Sequence, residues 1–228
     1  MKNLVLFFFA FLLTSLVGRT QENLDFKFAD NYCSKIEEKV QEIGSKYGLK
    51  VSELIPVVYP ECARFNAITN AFESSVLEHF YIEEGCRGAD FSVGYFQMKP
   101  SFIEQLDQVI QEHPLFAKRK AFFAYQASGT KNIRNERLNR LFSEDWQIEY
   151  LCCFVQLMKL RHQKEGIQTS ELAFISSAYN YGFHKSTSKI LAWEKIRAFP
   201  NGRKHQSNNF TYAELALLCK SKFYAHEN

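Results

Sequence analysis

The segment at the centre of the chain reads Asp90-Phe91-Ser92-Val93-Gly94-Tyr95-Phe96-Gln97-Met98-Lys99-Pro100. A glycine such as Gly94 lets the backbone approach a ligand closely. The Gln97 amide offers both a donor and an acceptor to sugar hydroxyls or to an N-acetyl group. Pro100 is placed to open a helix, because the first helical position does not need an amide N–H. Taken alone, the stretch is equally consistent with a turn that enters a helix.

Upstream of this segment, Glu61 follows the apolar stretch Leu54-Ile55-Pro56-Val57-Val58-Tyr59-Pro60. A carboxyl group on the rim of so apolar a stretch is expected to keep its proton to a higher pH than usual, because burial disfavours the ionised form. An acid that is protonated near neutral pH can protonate a glycosidic oxygen. The alternative for Glu61 is a surface glutamate on an amphipathic helix.

Downstream, the segment Ser177-Ala178-Tyr179-Asn180-Tyr181-Gly182 places two aromatic residues and an amide at a predicted helix end. A tyrosine hydroxyl can hydrogen-bond an acid or a sugar while its ring packs against a glycan. The alternative is a pair of core tyrosines beside a helix C-cap. His184 follows directly and is either a cleft residue or a polar cap.

The rest of the sequence predicts helices joined by short polar or glycine-marked turns. They are expected over 31–47, from Ser52 past Glu61, over 71–84, from Pro100 to His113, in two pieces of 115–142, over 143–166, over 170–182 and after Thr211. Pro56 and Pro60 conflict with the helix before Glu61, because each lacks an amide donor, and such a conflict points to a functional site. The sequence predicts a single, mostly α-helical domain over 21–228.

In this order, the three segments resemble the lytic transglycosylases of the lysozyme-like superfamily. The resemblance covers residues 52–183. It matches Glu61 to the catalytic acid, Gly94, Gln97 and Pro100 to a Gly-Leu-Met-Gln-like segment before a proline, and Ala178, Tyr179, Asn180 and Gly182 to an Ala-Tyr-Asn-Ala-Gly segment. It implies a lysozyme-like fold.

The resemblance also implies an activity, which is cleavage of the β-1,4 bond between N-acetylmuramic acid and N-acetylglucosamine in the glycan strands of peptidoglycan. Glu61 alone would act as acid and then base, giving 1,6-anhydro ends without a cofactor. The residues expected to bind the substrate are Asp90, Gly94, Tyr95, Gln97, Tyr179, Asn180 and Tyr181.

The chain departs from the family pattern at several positions. Cys62 stands where the family has serine, Tyr95-Phe96 replaces Leu-Met, and Tyr181 stands where a small residue is usual. The separation between Glu61 and Gly94 is longer than in common members of the family. This length implies an inserted helix that reshapes the cleft.

Three alternatives follow from these departures. Glu73 lies in the insertion and is the alternative catalytic acid. Asp90 could serve as the second carboxylate of a hydrolytic lysozyme, or it could cap a turn. The chain could also be a peptidoglycan-binding protein that keeps the cleft but not the chemistry.

The first twenty residues have the features of a signal peptide, with a positive Lys2, an apolar run over 4–16 and the small-residue site Gly18-Arg19-Thr20. An uncleaved N-terminal anchor is the alternative. Removing Lys2 and Arg19 lowers the net charge from +3 to +1. The remaining chain is therefore nearly neutral, and it lacks the basic stripe that is typical of nucleic-acid binding. The expected location is the periplasm or cell envelope.

The six cysteines are compatible with disulfides in an exported chain, and their pairing is left open among fifteen possibilities. A bridge between Cys62 and Cys86 would hold two walls of a cleft together. The adjacent Cys152 and Cys153 are expected to be small buried residues. No C-x-x-C or H-E-x-x-H spacing occurs, so neither a metal nor a cofactor is expected. A thiol hydrolase is not favoured, because no cysteine opens a helix among small residues.

Overall fold

The computed structural model describes residues 24–204 and 209–227. Helix accounts for 71% of the structure, and no strand occurs in these two ranges. This confirms the expected mostly α-helical class. None of the described helices combines the length and the apolar character that a membrane-crossing segment needs. The predicted signal peptide, residues 1–20, lies outside the described residues.

Ten α-helices are found in the described ranges. They are α1 (Phe26–Ser45), α2 (Val51–Arg64), α3 (Ala67–Glu84), α4 (Pro100–Glu112), α5 (Lys120–Phe123), α6 (Thr130–Phe142), α7 (Glu144–Lys164), α8 (Glu171–Tyr181), α9 (Thr187–Glu194) and α10 (Tyr212–Phe223). Two short 3₁₀ helices lie at Gly85–Arg87 and Pro114–Phe116.

The helix ends follow from capping side chains. Ser143 caps α7, and Thr211 caps α10 in a capping box with Glu214, as predicted. Helix α3 begins at Ala67 rather than at 71, because the Asn66 side chain accepts hydrogen bonds from the amides of Ile68 and Thr69. The sequence did not predict α9.

Helix α2 is the central element of the packing. It contacts α1, α7, α8 and α10, and all of its residues from Val51 to Ala63 except Glu53 are buried. A helix that is apolar around its whole circumference belongs in a core. Pro56 and Pro60 lie inside it, and its surrounding partners hold it helical despite the two missing amide donors. The Tyr212 hydroxyl of α10, for example, donates to the Val57 carbonyl at 3.0 Å.

None of the six cysteines forms a disulfide. Cys62 and Cys86 are therefore not bridged, and each thiol has another partner. The Cys62 thiol donates to the Tyr95 carbonyl, and the Cys86 thiol donates to Glu104. Burial, followed by the neighbouring Cys33, raises the pKa of the Cys62 thiol well above its usual range. Cys152 and Cys153 are fully buried, which confirms their expected role in the core.

A buried polar network joins α3, α4 and α6. The Arg137 Nε of α6 donates to Asp107 at 3.2 Å and to the Tyr125 hydroxyl at 2.9 Å. Its Nη1 donates to the Tyr81 hydroxyl at 2.7 Å and to Glu104 at 3.1 Å. Burial raises the pKa of Asp107 even though hydrogen bonds from Tyr125 and Arg137 oppose the change. The Arg137 guanidinium thus connects α6 to side chains of α3, of α4 and of the loop before α6.

Replacing Arg137 with alanine is expected to lower the free energy of unfolding by about 3–5 kcal/mol, because it leaves buried carboxylate and hydroxyl groups without their partner. Urea denaturation measures the loss. Lys131→Ala on the same helix is the matched control. Its ion pair with Glu83 is more than half exposed, and it should cost less than about 1 kcal/mol. Equal losses in the two variants would contradict the structural role of the network.

Candidate functional site

One cavity of about 410 Å³ brings residues of all three predicted segments together. Its walls come from the end of α2, the turn before α4, the first turns of α4 and the end of α8. The lining residues are Glu61, Arg64, Asp90, Ser92, Gln97, Met98, Lys99, Ser101, Phe102, Gln105, Tyr179, Asn180, Tyr181, Gly182, Phe183 and His184.

Glu61 lies in the last turn of α2 and is only 4% exposed. Its Oε2 accepts from Arg64 Nε at 3.1 Å and from Arg64 Nη2 at 2.9 Å. The two influences on the Glu61 carboxyl oppose each other, because burial disfavours its ionised form and an adjacent guanidinium favours it. The apolar stretch before Glu61 indicates only the first of these influences.

Gln97 lines the cavity from a tight turn between Val93 and Met98. The amide and carbonyl groups of Val93 and Met98 exchange hydrogen bonds at 2.9 and 3.2 Å and close the turn. Gln97 adopts a φ of 52°, in the left-handed region that residues other than glycine seldom enter. Its Nε2 donates to the Gly94 carbonyl at 2.7 Å. The turn therefore holds the Gln97 amide in one place at the cavity wall.

Gly94 is not among the residues that line the cavity, and its side of the turn packs on α3 and α7. Its amide donates to Asn70 Oδ1 of α3 at 2.8 Å. Its φ is +70°, and a Cβ at this position would overlap the Gln147 side chain of α7. The Gln147 Nε2 in turn donates to the carbonyls of Val93 and Leu141. The left-handed backbone and the Gln147 side chain, which its two hydrogen bonds hold in place, therefore both disfavour a Cβ at this position.

Tyr95, another residue predicted to bind substrate, is also not among the lining residues. Its ring lies 4.0 Å from that of Tyr32 and 4.4 Å from that of Phe65, measured between centroids. Phe28 completes this aromatic cluster between α1 and the end of α2. Burying an aromatic ring among others stabilises the turn that carries Gln97.

Asp90 lines the cavity, but its two carboxylate oxygens are engaged at the start of α4. The Ser101 amide donates to Oδ1 at 2.9 Å, and the Ser101 hydroxyl donates to Oδ2 at 2.7 Å. Asp90 thus satisfies the amide of Ser101 in the first turn of α4, although the N-cap position of this helix is held by Lys99. Glu73, the alternative acid, lies on α3 and is not among the lining residues.

The end of α8 forms the wall that faces the Gln97 turn. The Tyr179 hydroxyl donates to the Phe96 carbonyl at 2.6 Å, which ties α8 to the turn. Burial, followed by the charge of Glu61, raises the pKa of Tyr179 well above its usual range. Asn180 Oδ1 accepts from Trp193 Nε1 at 3.0 Å. The Tyr181 ring stacks on the Trp193 ring at 4.5 Å with 15° between the planes.

Two further residues, Arg64 and Trp193, shape this site. Arg64 stands three positions after Glu61, where one helix brings side chains together, so this spacing could have identified it. Trp193 comes from the unpredicted helix α9, and no local signal connects it to Asn180. His184, by contrast, lines the cavity as a cleft residue, and burial followed by the nearby Lys185 lowers its pKa.

The cavity combines one buried carboxylate with amides, tyrosines and two cations. Such polar groups on aromatic walls suit a neutral or anionic sugar chain. Within 24–204 and 209–227, no group of three His, Cys, Asp or Glu side chains has the arrangement of a metal site. Glu61 is the buried carboxyl group of this lining, and proton transfer from it would require a change in its ion pair with Arg64.

No family model, curated protein or solved structure matches this chain. The functional proposal for the cavity therefore rests on its residues and their geometry.

Replacing Gly94 with alanine should lower stability by more than replacing Gly48 does. Both glycines have a φ near +70°, but a Cβ at Gly48 meets nothing within 4 Å. Gly48→Ala should cost about 1–2 kcal/mol for the left-handed backbone alone. Gly94→Ala should cost about a further 1–3 kcal/mol because of the overlap with Gln147.

Thermal or urea unfolding of the two variants measures this difference. Equal losses would mean that the contact between Gly94 and Gln147 does not constrain the turn.

Proposed function

We propose that the chain is a lytic transglycosylase with a lysozyme-like fold. It would cleave the β-1,4 bond between N-acetylmuramic acid and N-acetylglucosamine in peptidoglycan and leave 1,6-anhydro ends. The observation that carries the proposal is that Glu61, Gln97 and Tyr179, which are far apart in the sequence, meet around one cavity. Each comes from a different one of the three segments that resemble this family.

Glu61 is proposed to act twice in the reaction. As an acid it protonates the glycosidic oxygen, which leaves with N-acetylglucosamine. As a base it then removes a proton from the 6-hydroxyl of N-acetylmuramic acid. The 6-hydroxyl oxygen attacks the anomeric carbon, so no water is consumed. General acid–base catalysis of this kind needs one carboxyl group that reaches both oxygens in turn.

Asp90 supports this route over hydrolysis. A hydrolytic enzyme needs a second carboxylate that positions water or attacks the sugar. Asp90 is the other carboxylate among the lining residues, and each of its oxygens already accepts a hydrogen bond from Ser101 at the start of α4. The remaining lining groups are proposed to hold the glycan, with Gln97 and Asn180 binding its polar substituents and Tyr181 packing against a sugar ring. Export to the periplasm or cell envelope would bring the protein to this substrate.

The ion pair between Glu61 and Arg64 favours a second candidate, a protein that binds peptidoglycan without cleaving it. A carboxylate that accepts two hydrogen bonds from a guanidinium is not poised to donate a proton. In this alternative the cavity and its sugar-binding walls remain, while Glu61 serves only to position Arg64.

Incubation with purified peptidoglycan, followed by mass analysis of the released fragments, separates these candidates. We expect anhydro-muropeptides from the unaltered protein. Glu61→Gln should reduce their release by about 100-fold or more, because the amide cannot transfer the proton. Glu73→Gln is the matched control and should leave release unchanged.

Other outcomes would identify the alternatives. Fragments with reducing ends would indicate hydrolysis, and binding without release would indicate the non-catalytic protein. Full activity of Glu61→Gln together with loss of activity in Glu73→Gln would transfer the acid role to Glu73.

A further inference from the structure

Arg64 is the member of the Glu61 ion pair that a ligand can reach. Its side chain is 27% exposed, whereas that of Glu61 is 6% exposed, and both line the cavity. Its Nε and Nη2 point at the same oxygen, Glu61 Oε2. On its other side the guanidinium carbon lies 5.4 Å from the centre of the Phe199 ring.

Arg64 could exchange Glu61 for another carboxylate and keep most of its own interactions. A guanidinium binds carboxylates in a planar, paired geometry, so an incoming carboxylate could replace Glu61 with similar hydrogen bonds. Glu61 would then lie beside the buried phenols of Tyr179 and Tyr212. Its charge contributes, after burial, to the raised pKa of both phenols. Loss of an adjacent guanidinium from a buried carboxyl group favours the protonated form of that group.

We propose that Arg64 binds a carboxylate group of the substrate, and that this contact releases Glu61 to take up a proton. The consequence for catalysis rests on the proposed function, whereas the binding step does not. Glu61 gains one proton from solvent, gives it to the glycosidic oxygen and recovers one from the 6-hydroxyl, so no further reactant is needed. The acid thus becomes competent when an anionic glycan occupies the cavity.

Two carboxylates of peptidoglycan could reach Arg64. One is the lactyl carboxylate of N-acetylmuramic acid, and the other belongs to the attached peptide. Lys99 is a second cation in the cavity lining, and it provides the matched control because it is not paired with Glu61 in the structure.

The test measures binding and needs no cleavage. Three ligands are titrated by NMR. They are N-acetylglucosamine, which has no carboxylate, N-acetylmuramic acid, and N-acetylmuramyl-L-alanyl-D-isoglutamine, in which the lactyl group is an amide and the peptide carries the carboxylate. The unaltered protein should bind at least one of the two acids about tenfold more tightly than N-acetylglucosamine. Whichever acid is preferred identifies the source of the carboxylate.

Three variants decide whether Arg64 is responsible. Arg64→Gln should abolish the preference for the acid, and Lys99→Gln should keep it. Glu61→Gln should increase the preference several-fold, because the competing carboxylate is gone. Should Arg64→Gln fail to fold, the Glu61→Gln titration decides the question.

The proposal is overturned if the unaltered protein shows no preference, if Arg64→Gln keeps it, if Lys99→Gln removes it, or if Glu61→Gln weakens it. Failure of the proposed function would give a different combination of binding and cleavage results. The preference and its dependence on Arg64 would then be present, but peptidoglycan would release no anhydro fragments.

Discussion

The burial of helix α2 is the constraint on which the rest of the structure depends. Its apolar circumference is covered by α1, α7, α8 and α10, and this cover fixes where its last turn ends. The last turn carries Glu61 into the cavity wall and Arg64 beside it. Because α8 packs on the same helix, its end arrives at the opposite wall with Tyr179 and Asn180. A site assembled from distant segments thus follows from packing around one helix.

Much of the helical framework could be predicted from local signals, since caps and breakers act within a few residues. Ser143, Gly85 and Thr211 mark helix ends in the sequence and in the structure. A helix between Glu61 and Gly94 was also expected, and α3 lies there. Helix α9 lacked a comparable signal, and it contributes Trp193 to the site.

Side-chain directions at the site could be predicted only in part, because they depend on contacts between distant helices. Glu61 and Gln97 line the cavity, whereas the ring of Tyr95 packs in a cluster with Tyr32. Gly94 is held against Gln147 on α7. Neither partner is near in sequence, so neither orientation could be read from the motif itself. The ion pair joins Glu61 to Arg64, three positions later on the same helix, so this contact could have been predicted from the sequence.

The central claim is that Glu61 faces a glycosidic bond in this cavity, and a crystal structure of the Glu61→Gln variant with a bound peptidoglycan oligosaccharide tests it most directly. The account predicts a glycosidic oxygen within about 2.6–3.2 Å of the side chain at position 61, with sugar substituents at Gln97 and Asn180. A glycan bound elsewhere on the protein, or one whose glycosidic oxygens all lie beyond reach of position 61, would contradict it.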